Sequence, residues 1–198
     1  MEMLIISGFL GSGKTSTILS VVQKIHENDG KKVAIIVNDF GKIGVDGKLM
    51  EKNGLKVKEF WGGCICCTLG SFLTSTIEKV VEEIEPDYVI IEPSGIADPR
   101  MILKTLDKYT GPPFDRIRTI VILDASRFDI YRKVLAIPLQ NQIGSAEAIF
   151  INKIDEVEPS TVENIKIQVR ESGFEKTIIE ISATQGWNLD GVYNSLVS

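Results

Sequence analysis

Residues Gly8-Phe9-Leu10-Gly11-Ser12-Gly13-Lys14-Thr15 form the stretch of sequence that decides the fold. The stretch matches the pattern G-x-x-x-x-G-K-[ST] at every fixed position. Leu4-Ile5-Ile6 before it is typical of a buried strand, and apolar residues recur after it at helical spacing as far as Gly30. This order of strand, glycine-rich loop and helix predicts a phosphate-binding loop rather than a chance glycine turn.

A loop of this kind binds phosphate largely through its backbone. Glycines let N–H groups turn inward onto phosphate oxygens, and the helix that follows adds the positive end of its dipole. We expect Lys14 to reach the β- and γ-phosphates of a nucleotide and the Thr15 hydroxyl to bind Mg²⁺. The residues predicted to hold the nucleotide are Gly8, Gly11, Ser12, Gly13, Lys14, Thr15 and Ser16.

All three cysteines of the chain, Cys64, Cys66 and Cys67, lie within four positions of one another. A disulfide framework is thereby excluded. Thiolates are soft ligands that suit zinc and other late transition metals, although a tetrahedral site needs a fourth ligand. The spacing alone leaves open metal binding, a redox or vicinal-thiol role, and inert buried cysteines.

Composition indicates an intracellular globular protein. With 198 residues, 43% of them hydrophobic, the chain can bury one substantial core, so we expect residues 1–198 to form a single domain. No run resembles a membrane span or a secretory signal, and free cysteines favour the reducing cytoplasm. The net charge of −5 argues against nucleic acid as a partner.

Strand and helix patterns alternate along the chain. The predicted strands are residues 4–6, 33–37, 57–60, 88–91, 119–123, 148–151 and 177–181. The clearest predicted helices are residues 69–84 and 159–171 and a short one after Asn188, whereas the segment between Phe128 and Gly144 is ambiguous. Continuous aliphatic runs are typical of parallel strands covered on both faces. The pattern predicts a doubly wound α/β fold, with a mostly parallel sheet and its ligand at the carboxyl ends of the strands.

Two residues near the end of the fourth predicted strand fit a nucleotide site. Glu92 follows residues 88–91 directly, and an acid at the end of a buried strand beside a phosphate loop can hold Mg²⁺, directly or through water. Gly95 would let a backbone N–H approach the γ-phosphate. The alternative is a strand-end acid that only contacts solvent.

The segment Asn152-Lys153-Ile154-Asp155 predicts guanine recognition. A carboxylate at Asp155 can accept hydrogen bonds from N1–H and the exocyclic amino group of guanine, whereas adenine would leave it unpaired. Asn152 is expected to meet the other edge of the base, and the stem of Lys153 to cover its face. The backbone of Ser182, Ala183 and Thr184, one predicted strand later, could meet guanine O6.

These motifs together resemble the CobW-like family of P-loop GTPases. The resemblance is carried by residues 8–15, 92–95 and 152–155, by the cysteine motif at residues 63–68, and by residues 38–46, which are similar to the family's switch segment. It implies GTP hydrolysis to GDP, coupled to handling of zinc, cobalt or a related metal bound at the three cysteines. It also implies a metal-recipient protein as a partner and, as in dimerising relatives, a homodimer.

The chain departs from the family pattern in three places. Asp39 and Lys42 stand where glutamates are common, and His26 is the only histidine, so the histidine-rich stretches of many relatives are absent. Many relatives also continue into a second, C-terminal domain, whereas this sequence ends soon after the last predicted helix.

The resulting hypothesis is a metal-responsive GTPase. Lys14 would stabilise charge on the transferring phosphoryl group, Thr15 and Glu92 would organise Mg²⁺, and Asp39 would orient the attacking water or complete the Mg²⁺ shell. The cysteine loop follows the switch segment, so metal affinity and nucleotide state would be reciprocally coupled. Two alternatives stay open: a GTP-binding regulatory module with a permanent structural zinc, and a thiol redox sensor on a nucleotide-binding domain.

Overall fold

Within the part of the chain that the structure describes, six parallel strands form one sheet in the order β2-β3-β1-β4-β5-β6. The computed structural model describes the backbone of residues 1–37 and 65–197 and the side chains of residues 1–37 and 72–197. The strands are β1 (Glu2–Ser7), β2 (Val33–Val37), β3 (Tyr88–Glu92), β4 (Arg116–Asp124), β5 (Ala148–Asn152) and β6 (Thr177–Glu180). The predicted doubly wound α/β fold is confirmed; the strand predicted at residues 57–60 lies outside the described residues.

Helices connect the strands. They are α1 (Lys14–Asp29), α2 (Ile65–Ile84), α3 (Pro99–Leu106), α4 (Phe128–Val134), α5 (Ala136–Ser145), α6 (Pro159–Glu171) and α7 (Leu189–Val197). The helix predicted over residues 159–171 is confirmed with the same bounds, and α2 begins at Ile65 rather than at position 69. None of the helices in the described ranges is long and apolar enough to cross a membrane.

The ambiguous segment after β4 contains α4 and α5 in succession. Pro138 is the third residue of α5, in the first helical turn, where a missing N–H costs no intrahelical hydrogen bond. The sequence analysis did not predict α3, although Asp98 and Pro99 carry its start signal. The Asp98 carboxylate accepts a 3.0 Å hydrogen bond from the backbone N–H of Arg100, which caps the helix.

Side chains of each strand alternate between two apolar layers, because successive residues of a strand point to opposite faces. In β4, Ile120 and Ile122 belong to the core layer that contains α1 and α7. Val121 and Leu123 belong to the opposite layer, with α4, α5 and α6. All four are at most 2% exposed, and burying each contributes about 1.5–3 kcal/mol.

Parallel pairing brings the carboxyl ends of the strands to one edge of the sheet. Val37 is in register with Glu92 on β3, and Asp124 at the end of β4 is in register with Asn152 on β5. Polar residues therefore line the edge from which the loop between β1 and α1 also leaves.

Candidate functional site

The loop between β1 and α1 has a backbone that only glycine adopts readily. Gly8, Gly11 and Gly13 have φ values of +143°, +78° and +92°. Space is limiting as well, because a Cβ on Gly8 would collide with the carbonyl of Ile122, and one on Gly13 with the side-chain amide of Asn152. The loop is therefore held tightly against the ends of β4 and β5.

Lys14 folds back across this loop. Its side chain is only 5% exposed, and its Nζ donates a 3.2 Å hydrogen bond to the carbonyl of Phe9. Ser12 is fully buried, whereas Ser16 is exposed in the first turn of α1. The ammonium group thus lies on the loop itself, where it can serve a bound phosphate.

Thr15 and Glu92 meet at the start of α1. The Thr15 hydroxyl lies 2.9 Å from Oε1 and 3.0 Å from Oε2 of Glu92, whose residue is 4% exposed. A hydroxyl and a buried carboxylate in contact are oxygen donors of the type that Mg²⁺ prefers. The two residues therefore fit the predicted magnesium site.

Gly95 lies directly against the phosphate loop. A Cβ at this position would come within 2.5 Å of the backbone nitrogen of Leu10, so only glycine permits the approach. The Gly95 carbonyl accepts a 3.1 Å hydrogen bond from Nε2 of Gln142, which is 1% exposed on α5. Sequence reasoning missed Gln142, since nothing in its local sequence indicates a partner on another element.

Asn152 joins the phosphate loop to the loop after β6. Its Nδ2 donates a 2.8 Å hydrogen bond to the carbonyl of Ser12, and its Oδ1 accepts a 3.0 Å hydrogen bond from the N–H of Ala183. The side chain is almost fully buried. The amide therefore fixes the two loops relative to each other, while its contact with the base stays a prediction.

Lys153 adopts a left-handed backbone conformation, with φ of +64°. Its Nζ lies 2.7 Å from Oδ2 of Asp124, a buried carboxylate whose Oδ1 accepts hydrogen bonds of 3.0 and 2.7 Å from the N–H and hydroxyl of Ser126. The ion pair holds the lysine stem at the site edge. Sequence analysis missed Asp124, although an acid at the end of an aliphatic strand was available as a signal.

The residues predicted to read the base lie on two adjacent turns. Asp155 is exposed on a 3₁₀ turn spanning Ile154–Glu156. Ser182 is fully buried, and its backbone exchanges hydrogen bonds of 3.3 and 3.0 Å with Trp187, which closes the loop that contains Ala183 and Thr184. The N–H of Ile154 donates to the carbonyl of Ile181, so the two turns are joined.

The predicted metal ligands fall largely outside what the structure describes. Asp39 and Cys64 lie outside the described residues, and Cys66 and Cys67 are described only by their backbone, in the first turn of α2. Among the described residues, no group of three or more His, Cys, Asp or Glu side chains could hold a metal ion.

A parallel sheet whose first strand runs directly into a phosphate loop is the architecture of P-loop nucleotide-binding domains, and this chain is one of that class. It belongs to the CobW/HypB/UreG family, whose nucleotide-binding-domain model matches residues 2–180. The resemblance to the CobW-like family is thereby confirmed.

Known relatives share this domain. The chain is 32% identical over 176 residues to the zinc chaperone YeiR of Escherichia coli, covering 88% of this chain and 53% of that protein. It is 32% identical over 194 residues to zinc-regulated GTPase metalloprotein activator 1 of Saccharomyces cerevisiae, covering 84% of this chain and 44% of that protein. HypB from Archaeoglobus fulgidus has the same fold, with a TM-score of 0.70 at 18% identity over 100% of this chain and 89% of that chain.

The chain spans about half the length of the first two curated relatives, 53% and 54%. The absence of a second domain therefore stays a prediction.

Proposed function

We propose that this domain binds GTP and hydrolyses it to GDP and phosphate. The observation that carries the proposal is the Thr15–Glu92 contact at the phosphate loop, where Lys14 also lies. A lysine, a hydroxyl and a buried carboxylate around one loop are the parts that phosphoryl transfer requires.

The chemistry depends on fixed charge. Lys14 binds the β- and γ-phosphates and stabilises the negative charge that develops on the transferring group. Mg²⁺, when bound by Thr15 and Glu92, supplies additional positive charge at these phosphates. Gly95, packed on Leu10, offers its N–H to the γ-phosphate. We propose Asp39, outside the described residues, as the group that orients the attacking water.

Guanine is selected by Asp155, whose carboxylate accepts from two donors that adenine lacks. The proposal is supported by the placement of Asp155 on a turn joined to the loop of Ser182, Ala183 and Thr184. Asn152 ties that loop to the phosphate loop, so the base and phosphate subsites have a fixed separation.

We further propose that hydrolysis is coupled to binding and delivery of a transition metal, zinc or cobalt, through Cys64, Cys66 and Cys67. Two relatives of this chain are, by name, a zinc chaperone and a zinc-regulated GTPase metalloprotein activator. Thiolates are the ligands that such metals prefer, and the reducing cytoplasm keeps thiols available. In addition, Cys66 and Cys67 lie in the first turn of α2, which is followed along the chain by β3, and β3 ends at Glu92.

A metal-recipient protein and a second copy of the chain are the proposed partners. Two other functions compete with metal delivery: a permanent structural zinc and a thiol redox sensor. A structural site would hold zinc equally in every nucleotide state, and chelation would lower folding stability. A redox sensor would show a low thiol pKa and a reversible disulfide.

A turnover assay with GTP and ATP, in the presence of Mg²⁺, tests the proposed enzyme. GTP should be hydrolysed and ATP should compete poorly. Lys14→Ala should abolish measurable turnover, because a fixed positive charge at the phosphates is lost. Lys24→Ala, in the second half of α1, is the control and should leave turnover unchanged. Turnover by Lys14→Ala at the wild-type rate would place the active site elsewhere.

A further inference from the structure

Arg127 lies at the outer rim of the phosphate loop, although no motif in the sequence includes it. It follows the end of β4 and precedes α4. A Cβ built on Gly11 would come 3.4 Å from Nη1 of Arg127, so the guanidinium lies beside the loop at Gly11. A cation therefore lies beside the predicted phosphate subsite.

Tyr131, on the helix that follows Arg127, is fixed to the phosphate loop. Its hydroxyl donates a 3.2 Å hydrogen bond to the carbonyl of Leu10, and its ring lies 4.5 Å from the ring of Phe9, both in the phosphate loop. The pKa of Arg127 is raised, first by its interaction with the Tyr131 hydroxyl and then by the nearby charges of Asp124 and Glu156. Tyr131, one helical turn after Arg127, therefore ties the start of α4 to the phosphate loop.

Asp124, whose charge contributes to raising the pKa of Arg127, already has a cation of its own. Asp124 is paired with Lys153 at 2.7 Å and accepts two hydrogen bonds from Ser126. Within the described residues, no carboxylate comes into ion-pair distance of the Arg127 guanidinium. Its donors are therefore available to an anion that binds beside Gly11.

The position of that anion follows from the two ends of the site. A nucleotide with its β- and γ-phosphates in the loop and its base at Asp155 must place its α-phosphate and ribose between them. Arg127 fits this interval, since its guanidinium lies beside Gly11 and the charge of Glu156, the neighbour of Asp155, contributes to raising its pKa.

We propose that Arg127 binds the α-phosphate of the guanine nucleotide. The inference rests on the proposed nucleotide site and adds a specific contact to it. A guanidinium suits this role because its planar fork of N–H donors matches phosphate oxygens. The α-phosphate is common to GMP, GDP and GTP, so Arg127 sets the affinity for all three equally. It does not distinguish GTP from GDP.

Competition against a fluorescent GDP, with Mg²⁺ present, tests the proposal. Arg127→Ala should weaken GMP, GDP and GTP by the same factor, about 10-fold, as expected for loss of one charge-assisted contact. Arg127→Lys should recover part of the lost affinity, because the positive charge is kept but the planar set of N–H donors is not. Arg132→Ala is the matched control, an exposed arginine of α4 that lies 3.7 Å from Asp129.

Three results would overturn the assignment: unchanged affinities in Arg127→Ala, a loss confined to GTP, or a loss for GDP and GTP with GMP unchanged. The last two would move the contact to the γ- or β-phosphate. Thermal unfolding without nucleotide checks that each variant is folded. If the alanine variant is unstable, Arg127→Gln, which keeps most of the side-chain stem, replaces it and should weaken the three nucleotides by the same factor. Failure of the wild-type chain to bind guanine nucleotides would instead defeat the proposed function.

Discussion

Asn152 donates a 2.8 Å hydrogen bond to the carbonyl of Ser12, a residue 140 positions earlier in the chain. The same amide accepts from the N–H of Ala183. One buried side chain therefore fixes the phosphate loop to the loop that is proposed to read the base. A nucleotide that spans both loops depends on this separation, so Asn152 links the stability of the fold to the affinity of the site.

Replacing Asn152 by Ala should lower both stability and nucleotide affinity. The change leaves the Ser12 carbonyl and the Ala183 N–H unpaired, at a cost of about 1–3 kcal/mol in the free energy of unfolding. Urea denaturation measures the first effect and a GDP titration the second. Asn164→Ala, on the exposed side of α6, should change neither. Wild-type stability and affinity in Asn152→Ala would show that the bridge is dispensable.

Glu92→Gln tests the magnesium site. The substitution keeps the shape of the side chain but removes the charge that faces Thr15, so Mg²⁺-dependent GTP turnover should fall by about 100-fold or more. Steady-state phosphate release measures the effect, with Glu82→Gln on the exposed side of α2 as the control. Full activity in Glu92→Gln would mean that another residue carries the metal.

Asp155→Asn should change the base preference. An amide replaces one acceptor by a donor, which fits xanthine, with its carbonyl at C2, better than guanine. Competition titrations with GTP, XTP and ATP measure the preference, and Glu156→Gln on the same turn should leave it unchanged. Equal competition by ATP and GTP in the wild-type protein would contradict guanine selection.

Arg118 is predicted to hold the last helix on the sheet. It is 3% exposed on β4, and its guanidinium donates a 2.9 Å hydrogen bond to the carbonyl of Ser195, a 3.0 Å hydrogen bond to Glu2 and a further one to the carbonyl of Leu196. Arg118→Met should lower the free energy of unfolding by about 1–3 kcal/mol, because the carbonyl of Leu196 and the partly buried Glu2 lose their hydrogen-bond donor. The exposed neighbour Arg116, changed to Met, should shift it by no more than about 0.5 kcal/mol. Equal urea midpoints for the two variants would contradict this role.

Local sequence was sufficient for the phosphate loop and the strands. A glycine-rich loop leaves little conformational choice, and aliphatic runs such as residues 148–151 form buried parallel strands because few other structures bury them completely. The helix over residues 159–171 was predictable from Pro159 and its apolar spacing. In contrast, α3 was missed because its apolar pattern is short, although Asp98 and Pro99 marked its start.

The contacts within the site were not predictable in the same way. Three residues far along the chain contribute to the surroundings of the loop after β1. Arg127 lies beside Gly11, Gln142 donates a hydrogen bond to Gly95, and Asp124 pairs with Lys153. Their partners are set by the order of strands in the sheet, which local patterns do not specify. Asn152 shows the difference clearly: the motif predicts the residue, but only the fold reveals its hydrogen bonds to Ser12 and Ala183.

The coupling of GTP hydrolysis to metal handling is tested most directly by measuring zinc affinity in three states. A competing chelator reports the affinity under reducing conditions with a GTP analogue bound, with GDP bound and without nucleotide. We expect tighter binding with the GTP analogue and Mg²⁺ than with GDP, by about 5–150-fold, the usual range of coupling between two sites. Changing Cys66 and Cys67 to Ser should remove tight zinc binding and leave GTP binding intact, because the phosphate and base subsites use other residues. Identical zinc affinity in all three states would contradict metal delivery and favour a permanent structural zinc.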